Sequence, residues 1–332
     1  MHKILIDQYS RTPKYKQIVK IIELAIEVES LKIGDKLPSL NSIKEENKLS
    51  RDTVLLAFNE LKTRGIINSI VGKGYYLVST NINISKKIFL LFDELNSFKE
   101  DLYGSFLKSI GQNTQVDIFF HHFNFNVFKK LIHENVGLYN YFAIMPANFK
   151  KTVEVLEILP KGKVYILDQI HDDLLEYPAI YQNFEKIMYN GMFEAKELIK
   201  KYSKAILVYN ERSQPEGLLN GFISFCKFFK INHLVVENSE NLMLKKGELL
   251  VILDDMNLIK IVKKIKSRQF KLSKDIGIIS YNDNILKEII DEGITTISTD
   301  FKFMGERLSQ MILKNENLQI ENPNSLILRK SL

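Results

Sequence analysis

The 332-residue chain holds one cysteine, no tryptophan, and only 7 prolines and 15 glycines. A single thiol, Cys226, closes no internal disulfide, which sets aside a cross-linked secreted scaffold and points to a reducing cytoplasm. So little glycine and proline excludes collagen-like or low-complexity organisation. Long apolar runs are missing as well. No stretch approaches the roughly 18 residues that span a bilayer, and Lys3, Asp7 and Arg11 stand where a signal peptide would be apolar, so neither export nor membrane insertion is expected. Heptads and tandem repeats are also lacking. What is present is globular material, 45% hydrophobic and 26% charged, long enough for two or three domains.

The formal charge of +6 is unevenly placed: residues 1–80 hold 13 Lys+Arg against 9 Asp+Glu, while the other 252 hold 33 against 31. A local basic excess is the electrostatic footprint of a module that meets a polyanion. Its periodicity supports one. Residues 13–30 place Tyr15, Ile18, Ile22, Ala25 and Ile26 on one helical stripe, with Pro13 suited to the first turn. Ser39 opens a short helix and Ser50 a longer one ending at Gly65, with Ile43, Val54, Leu55, Phe58 and Leu61 as the apolar contacts between them. Two short strands follow, near 66–70 and 75–79, joined at Gly72, Lys73 and Gly74, where the glycines permit positive φ. The pattern is a helix-turn-helix with a wing.

Such a reader presents the N-terminal residues of its second helix to the major groove. Here Ser50, Arg51, Asp52 and Thr53 occupy that end. Arg51 carries the donor fork that matches guanine or phosphate, Ser50 and Thr53 offer hydroxyls to phosphate oxygens, and Lys73 suits the minor groove. The competing reading pairs Arg51 with Asp52 or Glu60 on a solvated helix face.

Residues 80–86 are polar and small, as in a linker. Beyond them, about ten short apolar runs such as KIFLLF, VDIFFHHF, KVYILD and DIGIISYND alternate with helical stretches, which argues for parallel sheets in two similar subdomains with a cleft between them. Ligands of such sheets bind at the carboxyl ends of the strands. The polar residues there are Asp93 and Glu94, Asp168 and Gln169, Asn210 and Arg212, Asp254 and Asp255, and Asn282 and Asp283. Gln182 and Asn183 lie near the inter-subdomain crossing. Carboxylates and amides of this kind hydrogen-bond adjacent hydroxyls, and Phe92, Phe98 and Tyr103 offer a flat apolar wall. Each taken singly also reads as a helix cap or turn residue.

The runs Y-K-Q-I at 15–18, I-G-D-K-L-P-S at 33–39, L-S-R-D-T-V at 49–54, L-K-T-R-G-I-I at 61–67 and G-K-G-Y-Y-L-V at 72–78 resemble the DNA-binding domain of GntR-type transcriptional regulators. The resemblance implies DNA contacts at Ser39, Ser50, Arg51, Thr53 and Gly72 to Gly74. Asn41 and Leu55 stand where many members have arginine, so Asn41 takes the corresponding place at the second helix. The remainder resembles the periplasmic-binding-protein-like sensor of lactose-repressor-type regulators, through V-I-L-D-D-M at 251–256, S-K-D-I-G-I-I-S-Y-N-D at 273–283, G-I-T-T-I-S-T-D-F at 293–301 and M-G at 304–305. That resemblance implies two α/β subdomains crossed three times by the chain, with a small molecule, often a sugar, in the cleft. Leu218 stands where that family often has an arginine, leaving Arg212, Gln214 or Glu216 to replace it. Fused regulators of this composition answer to sugars such as arabinose and fucose.

The expected organisation is a winged helix-turn-helix over 1–79, a linker at 80–86, and an α/β effector-binding and dimerisation domain over 87–332. Expected partners are a double-stranded DNA operator, a monosaccharide or its phosphate, and a second copy, because one small reader binds loosely and two on one duplex gain effective concentration. No metal site is expected. His121 and His122 are adjacent in a strand-like run and point to opposite faces. Asp254 and Asp255 alternate likewise, Gly72 to Gly74 lacks the rest of a phosphate loop, and Cys226 sits among phenylalanines. An aminotransferase-like enzyme joined to the reader would need a longer domain and a recognisable Schiff-base lysine, so neither catalysis nor a cofactor is expected. A sensor reduced to a ligand-free scaffold stays open at this level.

Overall fold

The computed structural model describes residues 3–83 and 86–332. Three helices come first: α1 (Lys14–Glu27), α2 (Leu40–Asn47) and α3 (Arg51–Thr63). α1 begins directly after Pro13 and ends three residues before the expected Ser30, where Glu29 turns to φ 54°. Its buried stripe is Ile18, Val19, Ile22 and Ile26; Tyr15 and Ala25 are only half-buried on its edges. These residues pack on Val54, Phe58 and Leu61 of α3 in a core closed by Leu31, Leu37, Ile66 and Leu77. β1 (Ile67–Ile70) and β2 (Gly74–Leu77) form an antiparallel hairpin with Ile70 opposite Gly74.

The chain then builds β3 (Lys86–Phe92), α4 (Ser97–Ile110), β4 (Thr114–Phe120), α5 (Phe125–Glu134), β5 (Tyr141–Ile144), α6 (Thr152–Leu156), β6 (Val164–Asp168) and β7 (Ala179–Tyr181). Of the expected linker at 80–86, Lys86 already belongs to β3, and residues 84 and 85 lie outside the described residues. A second lobe follows with α7 (Phe184–Glu194), α8 (Lys196–Ile199), β8 (Lys204–Val208), α9 (Glu216–Phe228), β9 (Asn232–Val236), β10 (Glu248–Ile252), α10 (Asp255–Ser267), β11 (Ile276–Tyr281), α11 (Ile285–Ile289) and β12 (Thr295–Thr299). α12 (Phe301–Lys314) and β13 (Gln319–Glu321) return to the first lobe, and β14 (Asn324–Ile327) ends in the second.

Each lobe carries a six-stranded sheet, in the order β13-β7-β6-β5-β3-β4 and β14-β12-β11-β10-β8-β9. All pairings are parallel except β14 on β12. Both faces of each sheet are covered, which is why the strands read as unbroken apolar runs. In β3, Ile88, Leu90 and Phe92 enter one core and Phe89 and Leu91 the other; in β10, Leu249 and Val251 oppose Leu250 and Ile252 in the same way.

The chain passes between lobes three times, at Gln182, at Asp300 and at Asn322–Pro323. These passages are tied together: the Asn322 amide donates to the Tyr181 carbonyl (2.7 Å), the Asp300 amide to the Pro323 carbonyl (3.0 Å), and Asn322 Nδ2 to the Asp300 carbonyl (2.9 Å). His121 and His122 are not part of a strand. They follow β4, and His122 at φ 50° and Phe123 at φ 54° turn the chain, burying His121 and exposing His122. Among the described residues, no helix is long and apolar enough to cross a membrane.

Candidate functional site

Two surfaces carry the polar residues singled out by the sequence. On the three-helix unit, Ser39 Oγ accepts from the Ser42 amide (3.0 Å) and Ser50 Oγ from the Thr53 amide (3.2 Å), so both serines cap the helices they open. Between α2 and α3, Lys48 takes a left-handed conformation (φ 52°) that turns the chain within three residues. Arg51 and Asp52 are exposed at the start of α3, and Asn41 is exposed near the start of α2. Arg51 is not paired with Glu60, whose carboxylate faces Lys16 Nζ at 2.9 Å and Arg64 Nη1 at 3.6 Å; among the described residues its guanidinium has no ion-pair partner.

The wing stands in a fixed relation to α3. Phe58 of α3 meets Tyr75 of β2 edge to face at 4.8 Å, and Lys36 bridges to Tyr76 as a third short edge. Gly72 (φ 73°) and Gly74 (φ 112°) adopt the left-handed backbone that the tight tip requires, and Lys73 projects between them. A helix start with an unpaired arginine, flanked by a basic hairpin tip, can meet base edges and phosphates together.

The second surface is a cleft between the lobes, lined by the loops after β3, β6, β8, β10 and β11. Gln169, Gln182, Phe184 and Pro215 divide it into an inner compartment of about 440 Å³ and an outer one of about 1130 Å³. Asp93, Glu94, Asp168, Gln182, Gln214, Asp254, Asp255 and Asn282 all line the inner part, and Asn210, Arg212 and Glu216 the outer part. Asp168 (φ 72°) and Asn282 (φ 57°) turn into the left-handed region where their strands end, a conformation costing on the order of 1 kcal/mol outside glycine. Phe98, stacked on Phe301 at 5.7 Å, forms the apolar wall.

Phe92 and Tyr103 do not join that wall. Phe92 is 1% exposed in the core beneath the sheet, and Tyr103 packs against the same core. Asp283 turns away to a bidentate pair with Arg329 (Oδ1–Nη1 2.6 Å, Oδ2–Nη2 2.8 Å) and accepts from Thr296. Burial works to raise the Asp283 pKa, but these partners outweigh it and hold the carboxyl below its ordinary range. Asp254 lines the cleft and also caps α10, accepting from the Asn257 amide and side chain at 2.8 Å each.

Four participants escaped the sequence reading. Lys99 of α4 is 5% exposed, with Nζ 3.5 Å from Asp93 and 3.7 Å from Asp168. Burial acts to lower the Lys99 pKa, yet the two carboxylates hold it above the usual lysine value; burial pushes Asp168 upward against the same ammonium. The available signal was a lysine on an otherwise apolar stripe, since Lys99 shares the buried face of Leu102, Phe106 and Ile110. Tyr281 donates to Gln182 Oε1 (2.8 Å), as does Thr299, while Gln182 Nε2 donates to Asp168 (2.5 Å). This single amide therefore joins a carboxylate of one lobe to two hydroxyls of the other. Lys287, 1% exposed, donates to the Tyr281 and Asn282 carbonyls and lies 2.9 Å from Asp255.

Comparison with known proteins relates the two parts of the chain to different relatives. Residues 14–77 match the family described as bacterial regulatory proteins, gntR family. The HTH-type transcriptional regulator YdfD of Bacillus subtilis (strain 168) is 32% identical over 77 residues, 23% of this chain; the match spans only 16% of that relative's length. The HTH-type transcriptional repressor YtrA of the same organism is 33% identical over 99 residues, 30% of this chain and 72% of that protein. The two-lobed part has the fold of the lac repressor dimer bound to operator and the anti-inducer ONPF, with a TM-score of 0.61 at 15% identity, covering 74% of this chain and 93% of that one. By the matched segment and the extent of its likeness to YtrA, the chain belongs to the gntR family of bacterial regulatory proteins.

Proposed function

We propose that the protein is a cytoplasmic, DNA-binding transcriptional regulator. In this reading the winged helix-turn-helix over residues 1–79 grips an operator, and the domain over 87–332, joined through 80–86, binds a sugar or sugar-like effector and pairs two copies. The observation that carries it is Arg51, exposed and, among the described residues, without an ion-pair partner at the capped start of α3, beside a wing braced to the same helix. Ser39, Asn41, Ser50, Asp52 and Thr53 surround the same edge, and Gly72, Lys73 and Gly74 complete it. The cleft supports the second half, with carboxylates and amides facing an aromatic wall on lobes joined by three passages. The lac repressor of this fold is a dimer with operator and anti-inducer bound, which supports the same three partners here. That likeness also supports, as part of this proposal, repression of a carbohydrate-utilisation operon.

The energy available for switching is the difference in effector affinity between open and closed clefts. The test is fluorescence anisotropy with the gene's own promoter fragment across a salt series. Specific binding that weakens steeply with salt is expected. Arg51→Ala is expected to lose about 5- to 150-fold in affinity, the cost of one good base contact, and Lys73→Ala to flatten the salt slope. Promoter binding unchanged by Arg51→Ala would overturn the proposed register.

A further inference from the structure

We infer that the cleft selects uncharged or cationic polyols and rejects phosphorylated or otherwise anionic ones, an inference that rests on reading the cleft as an effector site. Five carboxyl groups face the inner compartment, those of Asp93, Glu94, Asp168, Asp254 and Asp255, against one ammonium, that of Lys99. That ammonium is committed to Asp93 and Asp168. Lys287 stands behind Asp255, spent on that carboxylate and on two backbone carbonyls. No arginine, the side chain whose fork fits phosphate, is among the described residues that line this compartment.

Helix starts are the other common anion receptors; that of α9, after Pro215, has no side-chain cap but carries Glu216 in its first turn, and three others bordering the compartment are already filled. Asn96 caps α4 by accepting from the Lys99 amide (3.1 Å), Asp254 caps α10, and Asp300 caps α12 by accepting from the Phe303 amide (2.9 Å). Two of these three caps are themselves carboxylates. The outer compartment repeats the imbalance: Lys150, Lys151 and Arg212 face five carboxyl groups. An anion entering either part would be repelled by charges that water and salt screen less between the lobes than on an open surface. Burial raises the Asp168 pKa, but a neutral Asp168 would still leave carboxylates in the majority. The hydroxyls of a sugar, by contrast, donate to these oxygens, and an amino group would pair with them.

The experiment is isothermal titration of the full-length protein with glucose, glucosamine and glucose 6-phosphate, and with the matching mannose and galactose series. In each series that binds, the phosphate is expected to bind at least about tenfold more weakly than the parent hexose or the hexosamine. Glu94 is exposed and held by one hydrogen bond from Asn96, so Glu94→Lys and Glu94→Gln test the cause. Glu94→Lys is expected to raise affinity for the phosphate about fivefold, with Glu94→Gln intermediate. A phosphate that binds more tightly than its parent sugar in any series overturns the charge rule while leaving the effector site standing. So does a phosphate affinity that neither variant moves. If none of the nine compounds binds, the sugar reading fails and takes this inference with it.

Discussion

His121 is fully buried behind the end of β4, ringed by Phe123, Phe128 and Phe149, with Nε2 donating to the Met145 carbonyl at 3.1 Å and Nδ1 without a partner among the described residues. Burial lowers its pKa below the usual histidine value. The Met145 contact and Asp93 oppose that shift, His122 and Lys99 add to it, and the net effect is downward. The unfolded chain therefore takes up a proton near pH 6.5 that the folded one refuses, so stability falls as pH drops below that point. Denaturant unfolding from about pH 7.5 to about pH 5.5 is expected to show a smaller loss for His121→Gln than for the unsubstituted protein; equal losses would contradict the burial argument. Cys226, buried in the second lobe with its thiol pushed up to about 12, is a packing residue for the same reason. Its phenylalanine-rich surroundings announce that in the sequence. Those of His121 do not, because Phe149 lies 28 residues away.

Between elements, α4 and α12 cross closely because Gly305 has no side chain. A Cβ there would run into the Ser105 hydroxyl and into the Leu102 carbonyl and Phe106 amide of α4, the last two being backbone that cannot swing aside. Gly305→Ala is expected to destabilise by about 1–3 kcal/mol through overpacking. Gly104, on α4 itself, has open space where its Cβ would stand, so Gly104→Ala is expected to stabilise by about 0.5–1 kcal/mol. Guanidinium unfolding of both variants decides the matter, and shifts of the same sign would refute it. The M-G pair at 304–305 was legible only as a resemblance; the helix that it accommodates lies some 200 residues earlier, beyond any local pattern. The capped starts at Ser39 and Ser50 were legible directly, since a cap and its amide lie three residues apart.

At the scale of the whole molecule, the three passages between lobes form a hinge whose bonds converge on Asn322, a residue with no sequence signal of its own. Its side chain is 1% exposed and holds the Asp300 carbonyl, while its amide holds Tyr181. Asn322→Ala is expected to cost about 1–3 kcal/mol and to speed hydrogen exchange at the amides of Asn322 and Asp300, leaving the protection of α1 and α3 unchanged. Loosening of those helices to the same degree would show that the hinge is not a separate unit. Under the proposed function, closure on an effector acts through this hinge and through Gln182, which joins the two lobes at the cleft.

By itself the sequence determined the reader, the two-lobed α/β character and the strand ends from which a cleft is built. Each of these depends on interactions within a few residues or on a repeating apolar pattern. Tertiary structure alone decided which of those polar ends meet the cleft. Asp283 is withdrawn by Arg329, 46 residues later, and Phe92 is taken into the core. Lys99 of α4 is drawn in by Asp168 at the end of β6, as Gln182 is by Tyr281 and Thr299. A buried charge or amide persists only where partners offset its lost hydration, and those partners are brought together by the fold.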